Sequence, residues 1–327
     1  MGRQATMEDV AARAGVSRAL VSIVYRNAPG ASEATRARVF AAAAELGYRP
    51  DSRARLLGRQ RTKLLGVVFG VGQSFHGDLV EALYVAAEAA DYDIALSGVA
   101  PSRSESKAAQ SLLDYRCEAL VLLGPTLKAG DLAALASSLP VISVARKVNA
   151  DGVDVVRTDD ANGARQAVDH LVALGHQHIA HVDGGTAPGA AERRTGYRTA
   201  IRKAGLTEHI IRGGLTEEHG ARAAAELPSH TTAVTVFNDR AAVGLLDVVR
   251  RNGSRVPEDL SVIGYDDSTV ARLSHISLTT IAQDTTALAD RAVSTAITRL
   301  SDETSTTIEQ VIPPLLVPRS TTATPRS

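Results

Sequence analysis

The stretch that decides the fold runs from Thr6 to Tyr25 and reads TMEDVAARAGVSRALVSIVY. The hydroxyl of Thr6 precedes two acids and an apolar segment of helical period, which predicts a helix from Thr6 to Ala14. Gly15 ends this helix, and Ser17 is placed to cap a second helix that extends to Tyr25. The side chains predicted to face inward are Met7, Val10, Ala11, Ala14, Leu20, Val21 and Val24. Two short helices joined through one glycine form a helix-turn-helix.

A third helix is predicted to begin at Ser32 and to be closed by Gly47. Its apolar stripe is predicted to comprise Val39, Phe40, Ala43 and Leu46. The following segment, 48–50, ends in proline and breaks the helical pattern, because the residue before a proline is biased away from helix. Residues 51–57 have room for one or two further helical turns, and residues 58–62 are predicted to be a flexible hinge.

The charge of the chain is segregated although its total is zero. The 327 residues carry 36 Lys or Arg and 36 Asp or Glu, yet residues 1–63 contain twelve of the bases and only five of the acids. The remaining residues therefore hold the matching excess of acids. A basic head on an acidic body predicts a polyanionic partner for the head.

Length and composition are those of a globular protein with two or three domains, 44% hydrophobic and 22% charged. Cys117 is the only cysteine and has no partner for an intrachain disulfide. The sequence shows no signal-peptide pattern and no apolar run of about 20 residues, the length needed to span a bilayer. We therefore expect a cytoplasmic protein.

From residue 64 onward, short apolar strands alternate with alanine-rich helices, a pattern typical of parallel sheets with helices on both faces. The first series of predicted strands comprises 64–69, 92–97, 119–123, 141–144 and 153–157. The second series comprises 178–182, 210–212, 233–237 and 261–265. Two such series predict an α/β body with two doubly wound, parallel-sheet lobes behind an all-α head. The polar residues 321–327 are predicted to form a disordered tail.

The head and the body contain several short, specific motifs. In the head they are TMEDVAARAGVS at 6–17, SEATRARV at 32–39 and ELGYRP at 45–50. In the body they are ALGH at 173–176, RxxGY at 193–197, FND at 237–239, VPEDLSVIGYDD at 256–267 and LTTI at 278–281. These motifs resemble those of the lactose-repressor (LacI/GalR) family, and the resemblance covers essentially the whole chain. It implies a dimeric regulator of transcription, by family default a repressor, whose body has the fold of periplasmic sugar-binding proteins.

The resemblance also implies a division of the chain. The predicted domains are the head at 1–48, a hinge helix and linker at 49–62, and an effector-binding and dimerisation domain at 63–320. The first lobe of that domain would comprise about 63–158 and 285–309, and the second about 159–284 and 310–320. Leu57 matches the family leucine that wedges into the minor groove of DNA. The alternative is a linker in which Leu57 packs on the body.

The second helix of a helix-turn-helix enters the major groove with its first side chains on base edges. Arg18 is the first candidate for reading sequence because its guanidinium can pair bidentately with guanine, and the alternative is a solvated surface arginine. Members of the family that this chain resembles commonly carry an arginine where this chain has Ile23 and a polar residue where it has Ala19, and this departure favours apolar contact with thymine methyl groups. The residues predicted to contact DNA are Thr6, Ser17, Arg18, Ala19, Ser22, Ile23, Arg26, Thr35, Arg36, Arg55 and Leu57.

A ligand site between the lobes is implied by the resemblance, at the carboxyl ends of strands where open parallel sheets bind ligands. The matching residues are Phe75, His76, Arg146, Asp159, Arg193, Asn238, Asp239 and Asp266. Arginines and carboxylates suit a sugar or polyol because each can pair with neighbouring hydroxyls. Asn238 and Asp266 have an alternative role as helix caps. Aromatic residues make up only 3% of the chain, so phosphorylated and nucleoside-like effectors stay open.

Other function classes lack their motifs. A periplasmic solute-binding protein would share the body but has no use for a basic head. An α/β enzyme would show a nucleophile elbow, a phosphate loop or a dinucleotide fingerprint, and Gly70-Val-Gly72 lacks the third glycine of the last. His178 and His181 would point to opposite faces of a strand, so together with His176 they do not form a metal-ligand set. We expect no catalysis, cofactor or metal.

Overall fold

The computed structural model describes residues 5–26, 28–48, 61–302 and 306–326. The chain separates into two compact units, Met1–Thr62 and Lys63–Ser327, which we call the head and the body. The predicted hinge helix, with Arg55 and Leu57, lies outside the described residues.

The described residues of the head form three helices, α1 (Met7–Ala14), α2 (Arg18–Tyr25) and α3 (Glu33–Glu45). Each helix is preceded by a hydroxyl residue that caps it, as the sequence predicts. The Thr6 side chain accepts a hydrogen bond from the Asp9 N–H, Ser17 from Leu20 and Ser32 from Thr35. Gly15 adopts the left-handed conformation, with φ of 64°, that turns the chain between α1 and α2.

The core of the head is small and aliphatic, which corrects one prediction. Its buried members are Val10, Ala11, Ala14, Val21, Val24, Val39, Ala42 and Ala43. Phe40 and Leu46 were predicted to lie on the inward stripe of α3, but they are 49% and 37% exposed. Ala42, one turn after Val39, takes the inward position, because residues three and four apart share a helix face. Phe40 instead packs edge-on against the ring of Tyr25, with ring centroids 5.6 Å apart.

The described residues of the body form two six-stranded sheets. The first has strand order β11-β5-β4-β3-β1-β2 and the second β12-β10-β9-β8-β6-β7. The strands are β1 (Leu64–Gly70), β2 (Asp93–Val99), β3 (Ala119–Leu123), β4 (Val141–Val144), β5 (Val153–Thr158), β6 (Ile179–Asp183), β7 (His209–Arg212), β8 (Ala233–Val236), β9 (Ser261–Asp266), β10 (Thr279–Ala282), β11 (Glu309–Ile312) and β12 (Leu315–Val317). All pairs are parallel except β10 with β12. The predicted fold class is confirmed.

Eight helices and one 3₁₀ turn at Thr269–Arg272 connect the described strands of the body. The helices are α4 (Ser74–Ala89), α5 (Glu105–Asp114), α6 (Ala129–Ala136), α7 (Asp160–Ala173), α8 (Ala190–Lys203), α9 (Glu217–Ala225), α10 (Asp239–Arg251) and α11 (Thr285–Ser301). Apolar side chains fill the layers between helices and sheets. Within the described ranges, no helix has the length and apolar character needed to cross a membrane.

Glycines let two pairs of helices approach closely. An added Cβ at Gly196 of α8 would lie 2.1 Å from the Ala161 carbonyl oxygen of α7. In the same way, a Cβ at Gly220 of α9 would meet the Ala241 carbonyl oxygen of α10, and a Cβ at Gly244 of α10 would meet the Glu217 carbonyl oxygen of α9. Each pair therefore needs glycine because no side chain fits between the helices.

The chain passes between the two lobes three times along its described part: after β5, after β10 and between β11 and β12. The third crossing corrects the predicted lobe boundary at 309/310, because β11 (Glu309–Ile312) pairs with β5 in the first sheet. The first lobe therefore extends to residue 312, and only β12 returns to the second.

The carboxyl-terminal residues up to 326 are ordered, so the predicted tail at 321–327 is wrong for its described part. Thr321 is fully buried, and its hydroxyl donates to the Val262 carbonyl at 2.7 Å. The Ala323 N–H donates to the Ser261 hydroxyl at 3.1 Å, and its carbonyl lies 2.9 Å from Nε2 of His176. The polar residues whose composition suggested disorder instead form hydrogen bonds with β9.

Candidate functional site

The first turn of α2 presents the predicted reading residues of the head to solvent. Arg18 and Ala19 are both exposed. The Arg18 guanidinium lies 3.5 Å from the Glu8 carboxylate, and both side chains are largely exposed. Exposed ion pairs contribute little free energy, so this contact leaves Arg18 able to bind another partner. Ser17 uses its hydroxyl to cap the helix.

The other predicted contact residues of the head differ in how freely they can reach a partner. Arg26 is exposed and donates to the carbonyl of Ser22, whereas Ser22 and Ile23 are half-buried. Arg36 donates to the Ala28 carbonyl at 2.6 Å, and Thr35 and Thr6 serve in the caps of their helices. Arg55 and Leu57 lie outside the described residues. DNA contact by these residues stays a prediction.

The body holds a cleft of about 170 Å³ at the carboxyl ends of strands from both sheets. A single water needs only about 10–15 Å³ on the same measure, so the cleft has room for a small organic molecule. Five of the residues predicted to hold the effector line it: Phe75, His76, Arg193, Asn238 and Asp266. Its other lining includes Val68, Phe69, Gln73, Glu105, Leu123, Gly124, Thr126, Pro188, Leu215, Phe237 and Gln283.

Arg193 is the central charged group of the cleft. It lies in the first turn of α8, is 5% exposed, and donates from Nε to Asp160 at 2.8 Å and from Nη1 to the Phe237 carbonyl at 2.7 Å. Its guanidinium stacks 3.5 Å from the ring centroid of Tyr265. Burial opposes the charge, but the nearby Asp160 and Asp266 carboxylates hold the pKa of Arg193 above its usual value. Arg193 therefore stays a cation.

Asp266 ends β9 and connects Arg193 to the crossings between the lobes. Its carboxylate lies 3.6 Å from Arg193 Nη1 and accepts from Nε2 of Gln283 at 2.8 Å. Gln283 stands at the second crossing, and its Oε1 accepts from the Thr158 hydroxyl, at the first crossing, at 2.7 Å. Burial raises the pKa of Asp266 to about 7, against the opposing effect of Arg193. A ligand that contacts Asp266 therefore contacts a series of hydrogen-bonded side chains, Asp266, Gln283 and Thr158, which connects the first two crossings.

His76 is held as a neutral ring in the first-lobe wall. Its Nδ1 accepts from the Gly70 N–H at 2.9 Å. Burial lowers the pKa of His76 to about 4. Because Nδ1 is an acceptor in this contact, the single proton of the neutral ring is on Nε2.

Three of the predicted effector residues lie outside the lining of the cleft, each because it has a structural role. Asp159 caps α7 by accepting from the Asn162 N–H at 3.1 Å. Arg146 donates to the Pro125 carbonyl. Asp239 is fully buried and accepts from the Ser268 N–H at 2.7 Å and the Thr280 hydroxyl at 2.5 Å. Burial and the neighbouring Asp266 raise the pKa of Asp239 well above its usual value.

Asn238 lines the cleft and also caps α10, which is the alternative role predicted for it from the sequence. Its Oδ1 accepts from the Ala241 N–H at 2.9 Å, and its Nδ2 donates to the Leu215 carbonyl at 3.2 Å. Both polar atoms of the side chain are therefore engaged by the protein itself.

Sequence reasoning missed Asp160, Gln283 and Glu105. Asp160 directly follows Asp159, and only the start of α7 decides which of the two faces Arg193. Gln283 stands two residues beyond the LTTI motif. Glu105 opens α5 in a segment with no motif.

Two polar contacts join the lobes beside the cleft. Asp78 of α4 accepts from the N–H and the hydroxyl of Thr269 at 3.0 and 2.6 Å. Arg240 of α10 donates to the carbonyl of Gly72. The lobes are therefore linked through hydrogen bonds that a lobe movement would break.

A helix-turn-helix head joined to a two-lobed body with a buried polar cleft defines a class, the ligand-regulated DNA-binding proteins. Family models agree: residues 6–51 match "Bacterial regulatory proteins, lacI family", and residues 168–322 match "Periplasmic binding protein-like domain". The chain is 33% identical over 331 residues to the HTH-type transcriptional regulator GalR of Escherichia coli K12, covering 98% of this chain and 96% of that protein. The chain belongs to the LacI family of bacterial transcriptional regulators.

Solved structures of the family share the fold over 80% to 98% of this chain. A LacI transcriptional regulator from a Rhodococcus species is 47% identical, with 80% of this chain and all of that chain covered and a TM-score of 0.78. The lac repressor dimer bound to operator and an anti-inducer is 28% identical, with coverage of 98% and 100% and a TM-score of 0.80. A complex of the regulator CelR with cellobiose is 29% identical, with coverage of 97% and 99% and a TM-score of 0.71.

Proposed function

We propose that this regulator binds a pseudo-palindromic operator as a homodimer, represses transcription from it, and changes its operator affinity when a sugar or polyol enters the cleft of the body. It acts on DNA in the cytoplasm and catalyses no reaction. The observation that carries the proposal is the combination, in one chain, of an exposed Arg18 on a helix-turn-helix and a cleft with Arg193 between two carboxylates.

The proposal for DNA rests on the first turn of α2. Arg18 and Ala19 are exposed where a recognition helix contacts base edges, and a bidentate arginine contact with guanine contributes about 1–3 kcal/mol of discrimination. Ala19 and the half-buried Ile23 offer apolar surface for thymine methyl groups. The related lac repressor is bound to its operator as a dimer, which supports the same assembly here.

The first lobe exposes apolar side chains that a second copy of the chain would cover in a dimer. Tyr84 and Val85 of α4 and Leu96 of the edge strand β2 are exposed, Val85 to 68%. Monomeric proteins seldom leave grouped large apolar side chains in water. We propose that these residues lie in the dimer interface.

The proposal for the ligand rests on hydrogen-bonding capacity. Charged and amide groups converge with apolar walls in the cleft, as in sites for polyhydroxylated molecules. The related CelR binds cellobiose, which supports a sugar as the effector class. Contact of the ligand with Asp266 and Arg193 would alter the hydrogen bonds that join the lobes, and so provides a route to the head.

The hinge segment remains a proposal from the sequence alone. Replacing Leu57 by alanine should reduce affinity for the operator far more than affinity for random duplexes. Equal losses on both DNAs would refute a minor-groove role for Leu57.

The function is tested by selecting duplexes from a random library with the purified full-length protein at physiological salt. We expect a palindromic consensus, and a change in its affinity when one member of a sugar panel is added. Arg193→Ala should keep the consensus but lose the response to the sugar. Selection of no consensus, with or without sugars, would refute the proposed function.

A further inference from the structure

Resting on the proposed function, we infer that the cleft selects uncharged polyols and rejects phosphorylated or carboxylated ligands, and that Glu105 and His76 of the first lobe set this selectivity. Neither residue forms an ion pair among the described residues. Both line the cleft opposite the second-lobe cluster around Arg193.

The charges of the cleft do not suit an anion. Arg193 is the only lysine or arginine among the described residues of the lining. It is already paired with Asp160 at 2.8 Å and lies 3.6 Å from Asp266. Glu105 adds a further carboxylate to the same lining. An entering phosphate would therefore meet a cation already neutralised and a carboxylate of its own sign.

Glu105 is fixed so that one oxygen remains for a ligand. It is 9% exposed, and its Oε2 accepts from both the N–H and the hydroxyl of Thr126, at 2.7 and 2.6 Å. These two bonds orient the carboxylate, and Oε1 receives no hydrogen bond from the described part of the chain. A ligand hydroxyl can donate to Oε1, whereas a phosphate or carboxylate oxygen cannot.

His76 supplies the matching donor. Its neutral ring carries the proton on Nε2, because Nδ1 accepts from the Gly70 N–H. Glycine at 124 leaves room beside that atom, since a Cβ there would lie 3.5 Å from Nε2. The first-lobe wall therefore offers one fixed acceptor and one fixed donor without net positive charge. A sugar hydroxyl both donates and accepts, so hydroxyl-bearing neutral ligands satisfy both groups.

The inference is tested by calorimetric titration of the full-length protein with matched pairs: ribose and ribose 5-phosphate, glucose and glucose 6-phosphate, cellobiose and cellobionate. Within any pair that binds, we expect the anionic member to bind at least about 100-fold more weakly, the effect of a like charge about 6 Å away at an effective dielectric constant of about 20. Glu105→Gln keeps an oxygen for Thr126 and should reduce that discrimination about tenfold or more. Glu226→Gln, an exposed change of the same charge, should leave it unaltered.

Each other outcome overturns the inference. Anionic members that bind as tightly as their neutral partners would exclude selection by charge, and binding of neither member in any pair would exclude neutral polyols as the ligand class. Discrimination unchanged in a folded Glu105→Gln protein would remove Glu105 from the selectivity. The same preparations are used in the duplex selection: a consensus with failed discrimination refutes only this inference, whereas no consensus refutes the proposed function.

Discussion

Replacing Arg193 by methionine removes the central cation of the cleft while keeping most of the side chain's length. The substitution abolishes the 2.8 Å contact with Asp160 and the 2.7 Å hydrogen bond to the Phe237 carbonyl. Asp160 is 3% exposed, so water cannot replace the lost partner. Removing one member of a buried ion pair costs about 3–5 kcal/mol, and we expect a loss of unfolding free energy of that size.

The loss should depend on pH with a defined sign. In the native protein burial raises the pKa of Asp160, and Arg193 opposes that rise through its charge and its hydrogen bond. Without Arg193 the pKa of Asp160 rises further above its unfolded value. A group whose folded pKa is raised is stabilising below its unfolded pKa, and this contribution is lost as pH rises, by at most about 1.4 kcal/mol per pH unit. The variant should therefore be least impaired near pH 5 and most impaired near pH 8.

Urea unfolding of the full-length protein, followed by circular dichroism at pH 5.5, 7.0 and 8.0, measures this loss. Arg194→Met is the matched control, because Arg194 pairs with Asp183 at 2.6 Å but is more exposed than Arg193. Adding Asp160→Asn to Arg193→Met should recover part of the stability by removing the unpaired carboxylate. The reasoning is refuted if Arg193→Met costs no more than Arg194→Met, or costs the same at all three pH values.

Three further predictions concern other parts of the molecule. Arg18→Ala should weaken binding to the selected operator by about 10–100-fold in an anisotropy titration and relax specificity at one base pair; an equal loss on random duplexes would contradict base reading. His181 is buried with a pKa lowered to about 4, so native stability should fall as pH falls below about 6.5, by about 2 kcal/mol between pH 7 and 5. His181→Asn should remove that part of the slope in urea unfolding, and an unaltered slope would assign it to other groups. Gly196→Ala should lower the free energy of unfolding by about 3 kcal/mol or more, because its Cβ would meet the Ala161 carbonyl at 2.1 Å, whereas Gly130→Ala in open space should cost nothing; equal effects of the two would contradict the helix packing.

Local signals predicted the head and the central strands well. Thr6, Ser17 and Ser32 cap their helices as expected, since a hydroxyl before an apolar-periodic segment satisfies free N–H groups. The bounds of β3 and β4 were correct because both strands are buried on two faces and appear as continuous apolar runs.

The elements that long-range pairing creates were harder to predict. β11 and β12 are short, half-exposed strands separated by Pro313 and Pro314, and only pairing with distant strands makes them regular. The order of the tail similarly depends on contacts with β9, which are absent from any local pattern.

Only part of the candidate site could be predicted from the sequence, and the reason is geometric. Arg193 is recognisable from its motif, but the choice between Asp159 and Asp160 depends on where α7 begins. One residue along a helix rotates a side chain by about 100°, so a shift of one position exchanges a cap for a partner of the arginine. Glu105 lines the cleft beside Thr126, which donates to it from twenty-one positions away, and no local pattern shows that contact.

The pairing of β11 with β5 has a consequence for synthesis on the ribosome. The sheet that begins at Leu64 receives its last strand at Glu309–Ile312, so the lobe encoded first is completed only after every strand of the second lobe except β12 has been translated. Domains otherwise fold as they emerge, amino-terminal units first. The head can fold early, but the first lobe must wait as an incomplete sheet with an open edge beside β5. A nascent chain stalled before residue 309 therefore exposes that edge, and during this interval chaperones have a hydrogen-bonding surface to protect.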